Sequence, residues 1–241
     1  MANFPFQRLQ ADLAKLIAET PAGSRLMSEP DLAKQMGVSR ATLREAMRTF
    51  ETQGLIRRRQ GSGTYVVGKF QVIEAGLEVL ESIETMARRM NLEVSVSDLR
   101  IEQVQADKIV ADGLCVEEGT PSICVRRVMR AESRPVAYLV DSLPLDILNL
   151  DDLTSEFRGS VLDYMIGSGV NLQVSRAAIS ATNAVADVAK ALEIQRDDVL
   201  LRFISQLYDG TGRVVDYSVS YFIHGYFHFH VNRRIGNGSS V

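Results

Sequence analysis

The chain has 241 residues, 46% of them hydrophobic and 24% charged, with a formal net charge of −3; this is the composition of an ordinary globular protein with room for two domains. No run of 18 apolar residues occurs, the first fifteen residues lack the basic-then-apolar order of a secretory signal, and the two cysteines, Cys115 and Cys124, have no C-x-x-C spacing. A membrane span, an export signal and a disulfide framework are therefore not expected, and the expected location is the cytoplasm.

The charge is uneven. Residues 1–68 hold 10 Lys/Arg against 6 Asp/Glu, and residues 69–241 hold 17 against 24. A basic module on an acidic body points the N-terminal part toward a polyanion.

In chain order, residues 6–19 place Phe6, Leu9, Leu13, Leu16 and Ile17 at helical spacing, and Pro21 and Gly23 end that helix. A second helix opens at Ser28, with Asp31 three residues on as a capping acid and Pro30 in the first turn, and closes at Gly37. Ser39 caps a third helix running to about Gln53, and Gly54 stops it. Two helices separated by a tight glycine turn are a helix-turn-helix. The following "LIRRRQGSGTYVV" reads as a hairpin around a glycine turn, a wing. We assign 1–68 to this winged helix-turn-helix, 69–76 to a linker, 77–234 to a second domain and 235–241 to a flexible tail.

The second domain opens with a helical stripe of Leu77, Leu80, Ile83, Ala87 and Met90. Seven strands are expected after it, starting near residues 94, 122, 134, 172, 198, 213 and 226, with "ESR" (132–134) and "DGTG" (209–212) as hairpin turns. Helices are expected at roughly 107–113, 160–167 and 184–193. The fold class is α+β, built on an antiparallel sheet.

Two regions carry candidate chemistry. On the third helix, Leu43, Met47 and Phe50 point to the core while Arg40 and Arg44 lie one turn apart on another face, with Thr42 beside them. Taken alone, such arginines are solvated charges more often than readers. The capped helix before them and the wing after them, with Arg57, Arg58 and Arg59 flanking a glycine tip, shift that balance. Arginines one turn apart hold guanine edges or phosphates bidentately, and a narrow basic wing enters a minor groove. The other region is "HGYFHFH". His224, His228 and His230 have even spacing but no neighbouring acid or cysteine, so a metal site is not expected.

Residues 28–67 resemble the winged helix-turn-helix of GntR-family transcriptional regulators, whose pattern is roughly S-E-x-x-L-A-x-x-x-G-V-S-R-x-T-V-R-x-A-L followed by G-L-I and a G-x-G wing tip. The resemblance implies DNA contacts at Ser39, Arg40, Thr42 and Arg44 and, on the wing, at Gln60 and Gly61. Pro30 stands where the family often carries an arginine, so that contact is missing. The remainder is similar to the HutC subgroup, whose UTRA effector domain has a chorismate-lyase-like fold. Segments 125–144, 158–170 and 213–229 resemble three of its motifs.

The resemblance to sugar-phosphate-sensing members implies an effector pocket. Ser82, Arg127, Ser160 and Asp216 match its polar positions. Glu84, Met129, Leu139, Leu162, Tyr226 and Phe227 depart from it, and most of these exchanges lower the polarity. The expected effector is therefore not a sugar phosphate, but a molecule with an apolar part and one anionic or hydrogen-bonding end near Arg127 and Ser160. The resulting expectation is a sequence-specific DNA-binding regulator, a repressor released by a small molecule, acting as a homodimer on a palindromic operator in double-stranded DNA, with no cofactor and no membrane partner. Two alternatives stand beside it: a constitutive DNA binder with a vestigial sensor, and an enzyme with a lyase-like domain, for which no catalytic motif stands out.

Overall fold

The computed structural model describes residues 5–233, apart from 22, 53, 60–61, 68–71, 149 and 158. The chain divides into two compact units. One extends to Val72 and takes in His224–Tyr226, and the other spans Ile73–Ile223 and resumes at Phe227.

The first unit has three helices, α1 (Pro5–Glu19), α2 (Glu29–Gln35) and α3 (Arg40–Thr52), and a hairpin of β1 (Ile56–Arg59) and β2 (Gly63–Val66). Capping fixes the helix starts. The Ser28 hydroxyl oxygen accepts from the Asp31 N–H, and Pro30 sits in the first turn, where a missing N–H costs nothing. Gly37, at φ +65°, makes the turn between α2 and α3. One core ties these pieces together: Leu9 and Leu13 from α1, Leu32 from α2, Leu43, Met47 and Phe50 from α3, and Ile56 and Val66 from the hairpin. Arg57 faces Tyr65 and Arg58 faces Thr64 across the wing.

In the second unit, β3 (Ile73–Gly76) pairs in parallel with β10 (Phe227–His230). The main sheet has six antiparallel strands in the order β4 (Val94–Gln105), β5 (Pro121–Ala131), β6 (Arg134–Pro144), β9 (Val214–Ile223), β8 (Val199–Asp209), β7 (Leu172–Asn183). On one face, α6 (Leu150–Glu156) and α7 (Val161–Gly167) bury Leu153, Phe157 and Met165 against Ile123, Val125 and Leu143. On the other, α5 (Lys108–Leu114) sits on Tyr217. That approach needs Gly113, because a Cβ there would lie 2.5 Å from the Tyr217 ring. Helices α4 (Ile83–Arg89) and α8 (Ala186–Ala191) complete the unit.

Three expectations change. The second half of the expected 69–76 linker is a strand, since Ile73–Gly76 finds a ladder partner in β10. The helix expected along the Leu77–Met90 stripe begins only at Ile83. Leu77 donates its N–H to the His230 carbonyl at 2.8 Å, continuing the β ladder, and Leu77 and Leu80 remain 40% and 52% exposed. Helix α6 was not expected, because its sequence, LDDLTSE, is short and acidic. The expected tail lies outside the described residues.

Candidate functional site

The first candidate surface is the exposed face of α3. Ser39 caps the helix, its hydroxyl oxygen accepting from the Thr42 N–H at 3.1 Å and lying 2.8 Å from the Thr42 hydroxyl. Arg40 opens the helix and is exposed. Arg44, one turn on, has a side chain 57% exposed, and its Nε donates to Glu29 Oε2 at 2.6 Å. Glu29, in the first turn of α2, thus holds the Arg44 guanidinium in place. Ser39, Arg40, Thr42 and Arg44 lie within one and a half turns at the N-terminal end of α3, where backbone N–H groups favour an anion.

The wing arginines are not equivalent. Arg57 points to solvent. Arg58 is half-buried, lies 3.3 Å from Glu51 Oε2, and donates through its terminal nitrogen to the Arg44 carbonyl at 3.2 Å. It braces the wing against α3 rather than standing free. Arg59 faces Gly63 in the hairpin register. Gln60 and Gly61 lie outside the described residues. Arg25 is an addition that the sequence did not single out. It bridges to Tyr65, and a Cβ on Gly63 (φ +112°) would lie 2.5 Å from its Nε. An exposed cation thus lies along β2 toward the turn of the wing. Its only sequence signal was its membership of the basic N-terminal module.

The second candidate is a cavity of about 820 Å³ in the second unit. Its floor is one face of the sheet. Asp141 faces Ser218, Ser218 faces Ser205, and Ser205 faces Ala177 across four strands. These small side chains leave the volume. In the next row Leu139 faces Ser220, which faces Phe203, which faces Ile179. Of the positions expected from sequence, Ser82, Glu84, Arg127, Leu139, Ser160, Leu162 and Asp216 line this cavity. Three do not. Met129 is fully buried in the core, Tyr226 groups with the first unit, and Phe227 is buried beside Phe229, which takes the lining position. Phe203, Phe222 and the serine floor were missed, because only strand register brings them together.

The two carried-over serines act as helix caps. The Ser82 hydroxyl oxygen accepts from the Thr85 N–H at 3.0 Å and that of Ser160 from the Asp163 N–H at 3.0 Å. The Ser82 hydroxyl also donates to Asp163 Oδ2 at 2.6 Å, tying α4 to α7. The first turns of both helices already hold carboxylates, Glu84 and Asp163. Arg127 is 5% exposed; its guanidinium pairs with Asp141 and lies 5.7 Å from the centre of the Phe157 ring. The anionic end expected near Arg127 and Ser160 therefore meets an arginine already paired and a serine already capping.

Three of the buried polar atoms without a hydrogen-bond partner belong to residues that line this cavity: Arg127 Nε, Glu84 Oε1 and Asp216 Oδ1. Burial raises the Asp216 carboxyl well above its ordinary range, and the nearby Asp141 charge adds to this. Burial also raises Glu84. The three histidines do not form one cluster: strand β10 begins at Phe227, which leaves His224 off it, while His228 and His230 both face Glu74, at 3.0 and 3.7 Å, an acid that is not their neighbour in sequence. Among the described residues no group of three or more His, Cys, Asp or Glu could hold a metal.

Comparison with known proteins finds a match in each unit. Residues 6–66 match the bacterial regulatory proteins of the gntR family, and residues 89–228, more than half the chain, match the UTRA domain. The chain is 26% identical over 223 residues to the mannosyl-D-glycerate transport/metabolism system repressor MngR of Escherichia coli, covering 90% of this chain and 91% of that one. It is 24% identical over 202 residues to the HTH-type transcriptional regulator GgaR of the same species, covering 83% and 78%. The crystal structure of PhnF from Mycobacterium smegmatis has the same fold, with a TM-score of 0.64 at 21% identity over 95% of this chain and 100% of that one. A winged helix with an arginine-bearing face, joined in one chain to a sheet-floored cavity, together with these matches, places the protein in the gntR family of transcriptional regulators, in the branch that carries a UTRA domain.

Proposed function

We propose that this regulator is a cytoplasmic repressor that binds a palindromic operator as a homodimer and releases it when a small molecule occupies the cavity of the second unit. One recognition helix spans only a half-site, so two copies are needed to read a palindrome. Ser39, Arg40, Thr42 and Arg44 are the proposed base and phosphate contacts on α3, with Arg57, Arg59, Gln60 and Gly61 on the wing. Arg58 supports the wing from behind. The reading includes no catalytic step and no cofactor.

One observation carries the sensing half of this reading. A cavity of about 820 Å³ holds a buried carboxylate oxygen with no partner in the protein. Such an atom costs stability unless something satisfies it, which favours a working sensor over the vestigial one. The test starts from a random double-stranded DNA pool. Enrichment with the full-length protein is expected to yield a palindrome bound at two copies per site. A metabolite that raises the melting temperature is then expected to lower affinity for that DNA. Binding without sequence preference would refute operator recognition. Stabilising ligands that leave DNA affinity unchanged would refute release.

A further inference from the structure

We propose that the cavity is built for an organic cation: an ammonium, amidinium or guanidinium group on an apolar body, with the charged end between Asp216 and Glu84. This rests on the reading of the cavity as the effector site and adds the chemical class of the effector.

The charges are one-sided. Among the described residues, Glu78, Glu81, Glu84, Asp141 and Asp216 line the cavity against one cation, Arg127. That cation is committed, with Asp141 on one side and the Phe157 ring near it. Glu81 pairs with Arg89 and Glu78 accepts from the Asn232 N–H, whereas Asp216 and Glu84 each keep one oxygen without a partner. Asp216 is 6% exposed, receives a hydrogen bond from the Ser142 backbone, and presents Oδ1 with no partner. Glu84 Oε1 is also unpartnered and lies over Gly159, where a Cβ would come within 2.8 Å of it. A ligand N–H⁺ group supplies the donor that these oxygens lack, and its charge favours the ionised carboxylate over the protonated form that burial promotes. A ligand anion would instead have to approach three carboxylates at short range in a medium of low dielectric.

Helix ends give no refuge to a phosphate, since Glu84 and Asp163 already occupy the first turns of α4 and α7. The rest of the lining suits an apolar body. Phe203 lies 5.0 Å from Phe222 and 4.6 Å from Phe229, ring centre to ring centre, and Leu139, Leu162 and Ile179 complete the wall. Aromatic faces also attract a cation directly. The unpartnered Arg127 Nε calls for one acceptor oxygen on the ligand, which a hydroxyl or carbonyl beside the amine supplies.

The test uses matched probes on the full chain without DNA: 2-amino-1-phenylethanol, its neutral analogue 1-phenylethane-1,2-diol, the anion mandelate, and glucosamine 6-phosphate. By calorimetry the amine is expected to bind about tenfold or more tightly than the diol, and the two anions to bind more weakly still. Asp216→Asn and Glu84→Gln, both near-isosteric, are expected to remove most of the preference for the amine over the diol. An anion that binds more tightly than the amine overturns the proposal. So does amine preference unchanged in both variants, or an amine that produces no heat at all. The same probes are then added to the operator complex. Amine binding without DNA release leaves the cation site standing and removes the regulatory reading. Release by an anion alone does the reverse.

Discussion

In the first unit the candidates on α3, Ser39, Arg40, Thr42 and Arg44, lie at the surface. Arg44 is held by Glu29, and the Ser39 and Thr42 hydroxyls bond each other. In the second unit they are buried, and three of their polar atoms are left without partners. The difference follows from the two ligands. A surface that must take up and release a polyanion keeps its charges hydrated, with partners that exchange easily, because exposed ion pairs contribute only about 0–1 kcal/mol. A cavity that recognises a small molecule holds atoms that only the ligand satisfies, and the cost of leaving them bare is what makes recognition selective.

The contrast can be tested from its strongest point downward. Arg127→Ala is expected to cost about 3–5 kcal/mol of stability, because it strands Asp141 in the interior. Urea denaturation measures it, and a loss below about 1 kcal/mol would show that the Arg127–Asp141 pair is not sealed from water as described. Gly113→Ala is expected to cost about 1–3 kcal/mol by driving a methyl into the Tyr217 ring, while the folded fraction keeps its operator affinity. On the exposed side the pattern inverts. Arg40→Ala and Arg44→Ala are each expected to weaken operator binding by about 1–3 kcal/mol with melting temperatures nearly unchanged. Equal gel-shift affinities in both variants and the wild type would remove α3 from the interface. Arg57→Ala, a wing cation in solvent, is expected to reduce the slope of log affinity against log salt by about one.

The smallest effect is one of pH. Asp216 sits near Asp141 and Arg127, and burial raises its carboxyl in the folded chain. The folded state therefore keeps its proton longer than the unfolded state. The resulting stability is full below the ordinary carboxyl range and is lost as pH rises through the raised folded value. Asp216→Asn carries no such proton, so its advantage over wild type in melting temperature is expected to grow from acid toward neutral pH. Parallel pH profiles for the two proteins would contradict this.

The two units also differed in how far sequence could reach them. Ser28, Gly37, Ser39 and Gly54 punctuate the winged helix locally, each within a few residues of what it caps or ends, so its elements and exposed arginines were legible. The six-stranded sheet was legible too, because alternation and the turns at 132–134 and 209–212 marked its strands. Strand β3 was not, since its partner, β10, lies about 150 residues away in sequence. Within the cavity, Ser82, Arg127, Ser160 and Asp216 could be reached by resemblance. Ser205, Ser218 and Ala177 could not, because nothing but register aligns them. The helical stripe at Leu77 and Leu80 misled, because periodicity says which side chains align but not whether anything covers them. For Arg58, composition marked a wing cation, but only the fold shows it turned toward Glu51.

The small-residue row across the cavity floor bears on how such a sensor diverges. Asp141 stands at one end of the row and Ala177 at the other, with only Ser218 and Ser205 between. A larger side chain at Ala177 shortens the space from its far end and leaves Asp216 and Glu84 untouched. A larger one at Ser218 fills the space beside the acids. The length of the accepted molecule and the charge of its head are thus set by separate residues, so a lineage can change one by a single substitution while retaining the other.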